Sequence, residues 1–253
     1  MTPPSPPLDP ELFGPGPARD KRFDVKDRWS EMVNHPEGTP EHRREFFHRQ
    51  MNEEMNVMEQ AAQSIVDFRD APWEIRYGLA GQCADEARHT LAYLRIMRQR
   101  GIAVGEYPVL NFQFRVLQRI DSLVGRLAIE NRSFEADGLD AAVFGADQAR
   151  LEGDEPFAQL LDAQAADEVT HVGLGVWWLR REIDRDPGTL LKLAAAMDHL
   201  KRAVEVALPE SGNVAYGVAV DERLQAGFAP DEVERAGRLL EERKQRGRAK
   251  RVR

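Results

Sequence analysis

Asp85-Glu86-Ala87-Arg88-His89 and Asp167-Glu168-Val169-Thr170-His171 are two copies of one pattern. In each, a glutamate and a histidine stand three residues apart, the spacing that puts a carboxylate and an imidazole on one helical face. An aspartate precedes each glutamate. Both copies lie in apolar helical sequence, and each follows a helical segment with a glutamate on its own apolar stripe. Glu54 precedes Glu86 by 32 residues, and Glu135 precedes Glu168 by 33. Two helix pairs of nearly equal spacing imply two halves of similar geometry. One Glu from each of two helices, with Glu-x-x-His from each of two others, is the ligand set of a two-metal carboxylate site inside a four-helix bundle. An all-α fold is therefore expected, a four-helix bundle with additional C-terminal helices.

The flanking sequence supplies the helices. Thr39-Pro40 reads as an N-cap followed by proline at the first helical position. The first helix then runs to about residue 68 with the stripe Phe47, Met51, Met58, Ala61 and Ile65, on which Glu54 lies. Asp70-Ala71-Pro72 starts a second helix, which Gly101 ends. A third, from about 112 to 137, has the inner face Leu117, Ile120, Val124, Ala128, Asn131 and Glu135, and Gly138 is read as its end. A short piece at about 140–151 crosses to a fourth helix at about 155–184. A fifth, about 189–208, is expected to pack Leu190, Leu193, Met197, Leu200 and Val204, and a last helix follows Pro230. The segments divide into a Pro-rich, loosely ordered arm (1–38), the bundle (39–208) and a helical extension (209–253) ending in a basic tail. That tail can touch phosphates or acidic partners, or can be a solvated end. No strand-like alternation of any length is visible.

Bulk properties narrow the class. The chain has 253 residues, 42% of them hydrophobic and 31% charged, which suits a core-forming helical protein. A net charge of -8 argues against nucleic acid as main partner. No apolar run approaches the roughly 20 residues of a membrane helix, and the N-terminus does not read as a secretory signal. The single cysteine, Cys83, excludes an internal disulfide and fits the cytoplasm.

Iron and manganese favour hard oxygen donors with some imidazole. Four carboxylates balance two divalent ions, whereas empty they would repel one another and resist burial. The proposed ligands are Glu54, Glu86, His89, Glu135, Glu168 and His171, with Glu59 and Glu130 as rivals for Glu54 and Glu135. A metal-bound histidine commonly donates its other N–H to a carboxylate. Asp85 is expected to hold His171, and Asp167 to hold His89, with Arg88 neutralising one aspartate. Cys83 and Tyr93 lie one turn from these ligands and read as core residues. Gly173 and Gly175 either leave room for a substrate or permit close helix contact.

At these residues the chain resembles the ferritin-like superfamily of di-iron carboxylate proteins, over roughly residues 40–184. The run Asp70-Ala71-Pro72, both Asp-Glu-x-x-His motifs and Glu135-Ala136-Asp137-Gly138-Leu139-Asp140 look like an uncharacterised bacterial ferritin-like group related to di-iron tRNA hydroxylases. The resemblance implies two iron ions (or Mn/Fe, or Mn/Mn) and O2 as co-substrate. Glu86 and Glu168 would bridge the ions, His89 and His171 would be terminal, and Glu54 and Glu135 would shift coordination. The expected activity is oxidation of a small organic substrate by hydroxylation, N-oxygenation or desaturation. No nicotinamide or flavin fingerprint is present, so an external electron donor is expected, and a homodimer is compatible. Iron handling as a ferroxidase and modification of tRNA are the alternatives.

Overall fold

The structure, a computed structural model, describes residues 6–208 and 216–251. The start of the arm, the start of the C-terminal extension and most side chains of the basic tail lie outside that description. The fold is all-α. Helix α1 spans Pro40–Asp67, α2 Trp73–Gln99, α3 Phe112–Leu117, α4 Leu123–Ile129, α5 Glu135–Leu151, α6 Glu155–Arg185, α7 Thr189–Ala207, α8 Val220–Gln225 and α9 Pro230–Arg251. Two-residue strands β1 (Val25–Lys26) and β2 (Val109–Leu110) pair in parallel. Among the described residues no helix is long and apolar enough to cross a membrane.

Two compact units divide the chain. The first holds residues up to Asp70, Leu79–Leu123 and Ala195–Pro209. Thr39 Oγ1 caps α1 by accepting from the His42 N–H at 3.2 Å. The arm contributes to this unit's core through Leu8, Leu12 and Phe13, the last only 2% exposed. Phe13 meets the Phe112 ring edge-on at 6.1 Å. Gly14 is needed there, because a Cβ would come within 2.4 Å of the Gln118 Cβ. Deeper along the arm, Arg19 donates to Asn52, Asn56 and both Glu59 oxygens on α1. Asn52 and Asn56 in turn donate to the Leu110 carbonyl, so one polar seam ties arm, α1 and β2 together.

The second unit holds Ala71–Gly78, Val124–Ala194 and the chain from Glu210 onward. Its centre is α5 packed along α6. Here the third helix departs from the sequence reading. It divides into α3 and α4, then winds as a π-helix over Glu130–Phe134 before continuing as α5. Nor does Gly138 end it: α5 passes through to Leu151. Gly138 has ordinary helical backbone, whereas Gly153 takes φ 78° and ends the helix, with Asp154 N–H closing onto the Ala149 carbonyl.

The α7 face also differs from the expectation. Its buried line is Ala196, Leu200, Ala203 and Ala207, while Leu190 and Met197 are 52% and 41% exposed.

Candidate metal centre

Each unit assembles three of the six predicted ligands. In the first, Glu54 on α1 faces Glu86 and His89 on α2. All three are buried, and each offers a ligand atom within 4.8 Å of the others. His89 Nδ1 lies 3.0 Å from Glu86 Oε2 and 3.3 Å from Glu54 Oε2. Burial by itself would depress the imidazole pKa, but the Glu54 and Glu86 carboxylates outweigh it and push it up to about 11.

In the second unit, Glu135 on α5 and Glu168 and His171 on α6 form the matching group. They too are buried, with ligand atoms within 4.8 Å of one another. His171 Nδ1 lies 3.1 Å from Glu168 Oε2 and 3.9 Å from Glu135 Oε1. Asn131, fully buried in the π-helical turn, donates its amide to the His171 carbonyl at 3.0 Å. The π-helix thus carries Asn131, which holds the histidine's backbone, and leads into Glu135, which faces its ring. Such bulges recur at functional sites because the extra residue re-aims side chains.

The rival glutamates fall in different places. Glu59 is engaged by Arg19, whereas Glu54 faces His89. Glu130 is buried at the first position of the π-helix, one turn before Glu135. Of the predicted aspartates, Asp85 is half-buried and receives Arg88 at 2.5 Å, and Asp167 is half-buried on α6. Gly175 permits close helix approach: a Cβ there would stand 2.6 Å from the Asn131 Cβ. Gly173 faces the Ala226 carbonyl, 3.4 Å from its ideal Cβ position. Gly175 therefore serves close helix contact. Tyr93 is buried. Burial, and then the Glu86 charge, push the Cys83 thiol up, which keeps it protonated and a poor metal ligand.

Sequence reading missed the clamp behind Glu135. Arg223 on α8 donates to both Asp140 oxygens and to the Ala136 carbonyl, and the Ala219 N–H completes Asp140. A lone Arg in a weakly periodic stretch gave no signal for it.

The model of a family described as a protein of unknown function (DUF455) matches residues 6–234. No curated protein and no solved structure matches the chain.

Proposed function

We propose that this chain, which belongs to the DUF455 family, is a dinuclear-metal oxidoreductase built on a ferritin-like four-helix bundle. It would hold two iron ions and use O2 to oxidise a small organic substrate, with electrons from an external donor. The observation that supports this reading is the repetition of one buried group, two glutamates and a histidine, in each unit with the same connectivity.

The donor set fits the ions. Each group offers two carboxylates and one imidazole, the hard oxygen and nitrogen donors that Fe and Mn take. In the first unit the two carboxylates hold a proton on His89 as their counter-cation; a divalent ion satisfies the same charge and leaves Nδ1 free to ligate. Glu54, Glu86 and His89 would hold one side of the centre, and Glu135, Glu168 and His171 the other. Bound iron supplies the redox and oxygen chemistry.

The chain's own residues do the rest. Asp85 and Asp167 orient the histidines by accepting their second N–H, which fixes the tautomer. Leu79 and Met97 on α2, and Leu161 and Val172 on α6, are buried on the helices that carry the ligands and would help to keep water from the centre. Asn131 fixes the backbone of His171, so its ring approaches from a set direction.

The test is anaerobic loading of the full chain with Fe(II), followed by exposure to O2. Oxygen uptake and an oxygen-dependent absorption change are expected in the wild type. Both should be absent from His89→Ala and His171→Ala variants that retain helical circular dichroism. A wild type with bound iron and no such change overturns the oxidoreductase reading.

A further inference from the structure

Along α6, Gly173, Val176, Trp177, Arg180, Arg181 and Asp184 follow the i, i+3, i+4, i+7, i+8 and i+11 spacing of one helical face. At 100° per residue that face is centred about 210° around the axis from His171, so it looks away from the metal ligands of this helix. Across from it stand Ala226 and Gly227, just past the end of α8, and a cavity of about 320 Å³ lies between. Cavities of that size take small ligands. Three small residues, Gly173, Ala226 and Gly227, leave the room, and Gly227 turns the chain at φ 95°. The whole lining belongs to the second unit.

The lining sets a ring and charges in a fixed order. Trp177 is 46% exposed, whereas its neighbour Trp178 is 3% exposed. The Arg181 guanidinium lies over both indoles, 5.5 and 5.1 Å from the ring centroids. Asp184 follows it at i+3, a spacing at which helical ion pairs form. Yet among the described residues neither Arg181 nor Asp184 is in an ion pair. Arg180 donates to Glu232 at 3.1 Å, a carboxylate that Arg132 also uses. One acid between two guanidinium groups leaves positive charge over.

A plain anion would match the arginines and be repelled by Asp184. A plain hydrocarbon would match Trp177 and leave both charges without a partner. A molecule that carries an aromatic ring, an anion and a cation in that order matches the whole face. We propose that this cavity binds a small aromatic zwitterion, of which a free aromatic α-amino acid is the simplest. Its ring rests against Trp177 and the small residues, its carboxylate accepts from Arg181 and Arg180, and its ammonium donates to Asp184. Arginine N–H groups suit a carboxylate acceptor. The site is separate from the glutamate–histidine groups and does not depend on their holding metal.

L-Phenylalanine is the probe, titrated calorimetrically into the full chain beside 3-phenylpropionate, which lacks the ammonium, and phenethylamine, which lacks the carboxylate. Saturable binding of one phenylalanine per chain is expected. Arg181→Met and Asp184→Asn change exposed side chains and should leave the helical circular dichroism unchanged. Each should weaken phenylalanine about tenfold, the worth of one lost hydrogen bond to a charged group. The truncated probes identify the partners. Phenylpropionate should lose affinity in Arg181→Met and not in Asp184→Asn, and phenethylamine should do the reverse. No saturable binding of phenylalanine below about 10 mM overturns the proposal. So does an affinity within about twofold of wild type in either variant. Phenylpropionate bound as tightly as phenylalanine by the wild type overturns it as well, because the cavity would then read only an anion.

Discussion

Replacing Arg223 with Met should cost the fold more than any surface substitution. The side chains of Arg223 and Asp140 are 8% and 4% exposed. The guanidinium makes a forked contact, Nε to Asp140 Oδ1 at 2.9 Å and its terminal nitrogen to Oδ2 at 2.6 Å. The same terminal nitrogen reaches the Ala136 carbonyl at 3.0 Å. Without Arg223, Asp140 would keep the Ala219 N–H, exposed Asp137 would offer no positive charge, and a carboxylate would stay buried without its cation. Breaking a buried pair on one side costs about 3–5 kcal/mol. For a chain of this size that is a fall in thermal midpoint of roughly 6–20 °C, taking about 2–4 °C per kcal/mol. Asp140→Leu combined with Arg223→Met removes both charges and should recover most of the loss. Urea unfolding of the wild type, both single variants and the double variant measures the coupling directly. Because Arg223 also holds the carbonyl next to Glu135, Arg223→Met should loosen metal binding as well. A single variant within about 1 kcal/mol of wild type would refute the role assigned to this pair.

Glu54→Ala should lose bound metal while Glu59→Ala retains it, measured by elemental analysis; equal loss in both would mean that the carboxylate facing His89 has no special place. Gly175→Ala forces a Cβ to within 2.6 Å of the Asn131 Cβ and should destabilise by about 1–3 kcal/mol, read by thermal unfolding; an unchanged midpoint would show that α6 and the π-helical turn can separate freely. Burial pushes the His48 pKa from 6.5 down to about 4, against a smaller opposing pull from Glu106. The unfolded chain therefore binds a proton across that window and the folded chain does not. The contribution is complete above pH 6.5 and is lost as pH falls toward 4, by about 3 kcal/mol at most. His48→Gln keeps an acceptor for the Gly105 N–H and should flatten stability over this range; the same slope in the variant would place the titration elsewhere.

What the sequence made legible was whatever depends on local spacing. The Thr39 cap, the Gly101 stop and the placement of Glu and His on one face of α2 and of α6 follow from helical periodicity alone. Gly138 misled because a glycine stops a helix only where the backbone takes positive φ, and it is Gly153 that does so. The α7 face misled because larger apolar residues were weighed above alanines, and its buried line is mostly alanine. The choice between Glu54 and Glu59 depends on Arg19, 40 residues before Glu59 in a stretch without periodicity, so no window around α1 could reveal it. The π-helix at Glu130–Phe134 shifts Glu135 by one residue relative to regular α-helical phase. The matched spacings of 32 and 33 residues nevertheless singled out that glutamate, because they measure connectivity rather than phase.

Counting metal ions per chain is the most direct measurement. Purified protein is loaded anaerobically with Fe(II), freed of unbound metal and analysed for iron against chain concentration, beside His89→Ala and His171→Ala. Two ions per wild-type chain are expected, with clear loss in each variant. A wild type that binds none, or variants that bind as much as wild type, would contradict a dinuclear centre held by these residues.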